Sequence, residues 1–261
     1  MIEKVAHRGA SAEAPENTLS AFERAFQKYQ CDCAEMDVRV TRDGVPVIFH
    51  DEKMERVTNG RGRIQHLTLG EIKPLDAGFW FDPSGKKEFP YRGKGVNIPT
   101  LEEVLTRFPQ QKFFIEIKDR GASAAQKILQ VIRALGSKTH WVVGSFHGPT
   151  MRAFRTLAGS SIETFLAEDE AIVAYAQFRL GRKKKALAGR FASLPRYKYR
   201  VRLDDPGWIQ FLHHQGVKVY YWTVNEKQEM DELLGWGADG IITDYPDRLV
   251  SLISGTGPKA A

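Results

Sequence analysis

The sequence has little of what several whole classes of protein require. Two cysteines, Cys31 and Cys33, occur in 261 residues. One residue apart, they are badly placed for a disulfide, and no second Cys/His pair completes a zinc site. We read them as small residues opening a strand in a reducing compartment. No apolar run approaches the roughly 20 residues of a membrane-spanning helix. The first residues, Met1-Ile2-Glu3-Lys4-Val5, lack the basic and apolar regions of a signal peptide. A cytoplasmic location is therefore expected. Low-complexity sequence is missing apart from the loose tail Ser254 to Ala261. Missing too is a glycine-rich phosphate fingerprint after the first apolar strand, which argues against an open doubly wound sheet.

The excess of charge is small. The formal value is +6, with lysines and arginines spread along the chain. That suits an anionic substrate or a membrane surface and falls short of a nucleic-acid footprint. The apolar fraction of 42% and charged fraction of 27% are ordinary for a globular domain.

What is present is a rhythm. Short apolar strands, predicted at 3–7, 33–38, 112–118, 140–146, 162–166, 190–194, 217–223 and 239–243, alternate with amphipathic helices. Leu19, Phe22, Ala25, Phe26 and Tyr29 make one helical face behind an N-cap at Asn17 or Thr18. Thr100 and Glu103 read as a capping box, and Ser123 to Gln126 as a second one before a helix stopping at Gly136. Later helices open at Pro149, at Asp204-Asp205-Pro206, at Asn225 and after Pro246. Eight strand–helix units in this length predict a single α/β domain over 1–253, a (β/α)8 TIM barrel. Segment 39–98 breaks the rhythm after strand 2. It runs from a hairpin at Thr41-Arg42-Asp43-Gly44 through a long polar stretch, and reads as a small insertion over the mouth of the barrel.

In such a barrel, strand C-termini share one rim, where active sites form. The polar residues at these ends are His7-Arg8, Glu35 and Asp37, Glu116 and Lys118, Ser145 and His147, Trp222 and Thr223, and Thr243-Asp244. His50-Asp51 close the hairpin strand. Glu35 and Asp37 share one strand face. Three carboxylates converging at one mouth repel unless neutralised, and an all-oxygen set selects a hard cation, Mg²⁺ or Ca²⁺. The plainer alternative is ion pairing with Arg8, Arg39 and Lys118. His7 and His50 are the candidate general acid and base. His66, His140, His213 and His214 are given structural roles, and His147 neither. Arg8, as a fork, and Lys118, as a point charge, suit phosphate oxygens. Trp222 is either core or a stacking surface for substrate.

These residues resemble one family. His7-Arg8-Gly9, Pro15-Glu16-Asn17-Thr18, Glu35-Met36-Asp37-Val38, His50-Asp51, Leu75-Asp76-Ala77-Gly78, Ile98-Pro99-Thr100-Leu101, Ile115-Glu116-Ile117-Lys118, Trp222-Thr223-Val224-Asn225 and the run Asp239 to Asp244 are similar, in order, to motifs of the glycerophosphodiester phosphodiesterases. That family lies within the phosphatidylinositol-phospholipase-C-like barrel superfamily. The resemblance implies hydrolysis of a small-molecule glycerophosphodiester to sn-glycerol 3-phosphate and an alcohol. It also implies one divalent cation on Glu35, Asp37 and Glu116, His7 and His50 as catalytic pair, and Arg8 and Lys118 on the phosphate. Attack by water and attack by a substrate hydroxyl through a cyclic phosphate both remain open. Two rivals are a lysophospholipase D, which a greasy insertion near Phe79-Trp80-Phe81 would favour, and a non-catalytic phosphate- or lipid-binding barrel. Between 160 and 205 the resemblance fades. There the basic run 178–190 reads either as a solvated helix end and loop or as a weak membrane-surface contact.

Overall fold

Side chains alternate direction along a strand, so closing parallel strands into a ring sorts them into an interior and an outer set. The computed structural model describes residues 2–136, 141–181, 187–198 and 200–255. In chain order the strands are β1 (Glu3–Ala6), β2 (Cys33–Val40), β3 (Pro46–Ile48), β4 (Lys112–Ile117), β5 (Trp141–Gly144), β6 (Glu163–Thr164), β7 (Phe191–Pro195), β8 (Tyr197–Lys198), β9 (Val201–Arg202), β10 (Lys218–Trp222) and β11 (Gly240–Thr243). Eight of them are parallel, in the order β6-β5-β4-β2-β1-β11-β10-β7. The two edges meet through a parallel bridge between Phe165 and Phe191, and the Leu166 N–H donates to the Phe191 carbonyl at 2.7 Å. The result is a nearly closed TIM barrel. Each predicted parallel strand is present, some shorter than expected. The fifth runs from Trp141 to Gly144, and His140 lies outside the described residues. The sixth shrinks from 162–166 to two residues, with Phe165 joined only by the bridge.

The helices follow the predicted signals with three corrections. In α1 (Leu19–Glu23) the cap is Thr18, whose hydroxyl accepts the Ala21 N–H, and a π turn carries the helix on to Lys28. The short α2 (Leu69–Ile72) lies in the insertion, and α3 (Leu101–Arg107) has the expected Thr100–Glu103 capping box. The helix α4 (Ala122–Leu135) stops at Gly136 as predicted, but Ser123 caps nothing. Gly121 (φ 92°) turns the chain into the helix and gives its own N–H to Thr150, so Ser123 is already inside the first turn. Next come α5 (Gly148–Ala158), α6 (Glu168–Arg179) and α7 (Pro206–His213), the last capped by Asp205. Then α8 (Lys227–Gly235) opens two residues beyond Asn225, whose side chain is engaged elsewhere. Finally α9 (Pro246–Gly255) absorbs Ser254 and Gly255 of the expected tail. No helix among the described residues is long and apolar enough to cross a membrane.

The barrel interior is one apolar layer: Val5, Cys33, Phe114, Val142, Phe165, Phe191, Tyr220 and Ile242. Phe114 sits at its centre, with the Phe165 and Tyr220 rings 4.9 and 5.0 Å away, edge to face. Their neighbours one position along, such as Ala6, Ala34, Met36, Phe113, Ile115 and Ile241, face the helices. Both cysteines are buried and unpaired. Residues 39 and 40 of the segment marked as an insertion continue β2, and β3 pairs back on it, Val38 opposite Ile48. From β3 onward the segment builds its own small core from Val47, Phe49, Met54, Ile64, Ile72, Ala77 and Ile98.

Candidate active site

Two residues beyond each interior side chain, the same inward direction meets the C-terminal rim. Val5 leads to His7, Cys33 to Glu35 and Asp37, and Phe114 to Glu116 and Lys118. Tyr220 leads to Trp222, and Ile242 to Asp244. Parallel register sets Asp37 directly beside Glu116. The turn after β1 depends on Gly9 (φ 81°), where a Cβ would come within 2.6 Å of the Ala21 backbone. That close approach brings the loop carrying Glu16 and Asn17 back against the rim.

Glu35, Asp37 and Glu116 each offer an oxygen, all three within 4.8 Å of one another. Burial disfavours charge on every one of them. At Asp37 it is outweighed: Lys118 Nζ and Arg8 Nε lie 3.0 Å away, Asn17 donates at 2.8 Å, and the carboxyl is held well below its ordinary range. Glu35 is less well compensated. Burial and the Asp37 charge push it up to about 8, although it accepts the Arg8 backbone N–H at 3.0 Å. Glu116 is also raised, by burial first, despite Lys118 at 2.8 Å. An oxygen-only cluster with two carboxylates resisting ionisation fits a divalent cation, whose charge would relieve that repulsion. The alternative pairing is partly present as well. Arg8 and Lys118 do pair with the cluster, whereas Arg39 turns away to Asp119 at 2.8 Å.

Both histidines rest on aspartates. His7 Nδ1 lies 2.7 Å from Asp244, and His50 Nδ1 lies 2.6 Å from Asp51. Asp244 is held down at about 2: burial would raise it, but the bonds from His7, Asn225 and Ser11 prevail. Asp51 is lowered too, against burial, by Arg56 and His50. An ionised carboxylate only accepts, so each Nδ1 carries the proton and each Nε2 is left for chemistry. For His7, burial alone would lower the pKa, but Asp244 and Glu35 raise it. Burial, with Arg8 and Lys118, lowers that of His50.

His7, Arg8, Glu35, His50, Glu116, Lys118 and Trp222 line one cavity of about 440 Å³, and Asp37 lies just beneath. The Trp222 ring packs on Phe146 at 5.5 Å, and its buried indole N–H has no hydrogen-bond partner among the described residues. His147 caps α5 outside the cavity, its N–H donating to Ser145. His66 meets Gln65, His213 meets Asp239, and His214 meets the Gln210 carbonyl.

Several partners had no part in the site as read from sequence. Asn17 brackets Asp37, donating to its carboxylate and accepting its N–H. Asn225 holds Asp244, and Arg56 ties Asp51 to Glu16. Asn17 and Asn225 stand inside motifs that sequence had marked; Arg56 stands in none. The largest surprise is the far wall. It is apolar, built by Phe165, Leu166, Ile172, Tyr175, Leu194, Val201 and Trp208 from β6 to α7, and carries one ion pair, Lys198 with Glu168 at 2.6 Å. Phe79-Trp80-Phe81 are not part of it. Phe79 and Trp80, together with Phe89, enclose the Arg92 guanidinium at 4.2, 5.1 and 3.9 Å, so the insertion supplies no greasy wall.

A barrel rim that gathers two aspartate-backed histidines, three carboxylates, an arginine and a lysine suits the hydrolysis of a phosphate ester. The glycerophosphoryl diester phosphodiesterase family model matches residues 7–248, and the chain belongs to that family. It is 33% identical over 252 residues to a glycerophosphodiester phosphodiesterase of Bacillus subtilis, covering 93% of this chain and 83% of the relative. It is 31% identical over 254 residues to one of Caldanaerobacter subterraneus, covering 95% and 96%. A solved phosphodiesterase of Oleispira antarctica, in complex with the product sn-glycerol-3-phosphate, superposes with a TM-score of 0.77 at 26% identity, covering 96% of each chain. The protein is thus a phosphoric diester hydrolase acting on glycerophosphodiesters.

Proposed function

We propose that the chain hydrolyses glycerophosphodiesters to sn-glycerol 3-phosphate and a free alcohol, with one divalent cation and two histidines. The observation that carries this is the pair of aspartate-backed histidines lining one cavity beside the acidic cluster. A cation held by Glu35, Asp37 and Glu116, Mg²⁺ or Ca²⁺ by donor chemistry, would supply Lewis-acid stabilisation of phosphoryl charge. Arg8 keeps N–H groups beyond those facing Asp37 and Glu16, and Lys118 keeps one proton beyond those facing Asp37 and Glu116. Both can therefore bind non-bridging oxygens. One histidine Nε2 takes the proton of the attacking oxygen, and the other gives a proton to the departing alkoxide. The Trp222 indole is a donor, and its ring a wall, for the glycerol moiety. A cytoplasmic location remains part of this reading.

The test is release of glycerol 3-phosphate from glycerophosphocholine and glycerophosphoethanolamine. We expect none in EDTA and recovery on adding Mg²⁺ or Ca²⁺. No release with either ion overturns the proposal. The apolar far wall favours a second reading, in which the substrate is a lysophospholipid whose chain lies along Phe165, Ile172 and Val201. A higher kcat/KM for lysophosphatidylcholine than for glycerophosphocholine would establish it, and the reverse order would dismiss it.

A further inference from the structure

Seven large apolar side chains are exposed among the described residues, and five belong to one region. Ile172, Val173 and Leu180 lie on α6 and the turn after it, and Tyr197 and Val201 lie on the β8–β9 hairpin. The helix does not need them for its core: Ala174 is fully buried, and Tyr175 and Phe178 pack on Trp208 at 5.3 and 5.5 Å. A clustered apolar patch of this kind marks a contact surface, whereas single exposed residues such as Leu157 do not. The patch is continuous with the active site, because Ile172 and Val201 also line its cavity.

Cations flank it. A second groove shares Tyr175 and Val201 with the cavity wall and is lined by Arg179, Arg200 and Arg202. The acids there are already engaged. Asp204 takes Arg196 and Arg202 at 2.6 and 2.7 Å, and Asp205 accepts the first N–H groups of α7. Among the described residues Arg179 reaches the Tyr175 hydroxyl and ring, and neither it nor Arg200 makes an ion pair. Exposed Ile, Val, Leu and Tyr beside uncompensated arginines match what a lipid interface requires: apolar burial at the acyl boundary and cations for anionic headgroups. In a two-fold contact between copies of this chain the same arginines would oppose one another.

We propose that this surface seats the enzyme on an anionic phospholipid bilayer. Val173, Leu180 and Tyr197 enter the interface, and Arg179 and Arg200 meet lipid phosphates. It deepens the phosphodiesterase reading, since the mouth of the site then faces the lipid. The seat is α6 and the hairpin, and takes only Arg179 and Leu180 from the start of the basic run 178–190, whose residues 182–186 lie outside the described ones.

The test is co-sedimentation of the full chain with vesicles of phosphatidylcholine alone and of phosphatidylcholine with phosphatidylglycerol. We expect partition into the anionic vesicles that weakens with salt. Val173→Asp with Leu180→Asp should lower it about tenfold without changing Tm. Arg179→Ala with Arg200→Ala should erase the preference for anionic vesicles. Should the double aspartate variant fold poorly, Tyr197→Ser on the hairpin is judged by the same partition. Absence of partition, or variants binding like the parent, overturns the proposal. So does a vesicle-free shift from dimer to monomer in the aspartate variant, which would assign the patch to self-association. Partition is read without turnover, so a failure to hydrolyse glycerophosphocholine would strike the enzymatic reading and leave this one standing.

Discussion

Asp244 touches no phosphate in this scheme, yet it decides the tautomer of His7 through a 2.7 Å bond. His7→Ala should lower kcat by about 10²–10⁴ in a chain that still folds, since it removes a proton-transfer group. Parental activity in that variant would refute its assignment. Asp244 also has a stability consequence with a definite sign. Its folded pKa, about 2, lies below the ordinary 3.8. The stabilisation is therefore full above pH 4 and is lost as pH falls through about 2. The difference corresponds to about 2 kcal/mol. Asp244→Asn should thus unfold at lower denaturant concentration than the parent near neutral pH, and the two should converge as acid is added.

At the scale of elements, two serine/threonine signals that look alike in the sequence part company. Thr100→Ala breaks a formed capping box and should cost about 1 kcal/mol, seen as a lower Tm. Ser123→Ala removes no cap and should stay within about 0.5 kcal/mol. The order of strands and helices was legible because period 2 and period 3.6 are written locally. The gathering of Glu35, Asp37, Glu116 and His7 at one rim was legible too, because parallel strands must deliver their last inward residues there; His50 reaches the same cavity from the end of the antiparallel β3. The partnership of His7 with Asp244 was not legible, since it joins positions 237 apart through the β1–β11 pairing. The apolar wall was missed for another reason. Tyr197, Lys198, Arg200, Val201 and Arg202 alternate apolar and basic residues, a strand signal, but the two strands are only two residues long. Nothing local says that they lean over the cavity.

For the molecule as a whole, a cation held by the acidic cluster as proposed would tie stability to metal. A cation that binds the folded barrel alone raises Tm, by an amount equivalent to about 2.7 kcal/mol at a hundredfold excess over Kd. Glu35→Gln should abolish that rise with Mg²⁺ or Ca²⁺ in differential scanning fluorimetry. Without metal, the same variant should be at least as stable as the parent, because it removes one of three crowded carboxylates and a glutamine oxygen can still accept the Arg8 N–H. A metal-free variant clearly less stable than the parent would contradict this account of the cluster.

The two cysteines give the chain a built-in clock for its own opening. Cys31, pushed up to about 12 by burial, lies among the side chains between α1 and the sheet, whereas Cys33 lies inside the ring of strands. A thiol reagent can reach the first when that helix layer loosens and the second only when the ring itself parts. Labelling the unmodified protein should therefore proceed in two kinetic phases, the slower one tracking complete unfolding. The order of events in the breakdown of the barrel can then be timed without engineering a single probe.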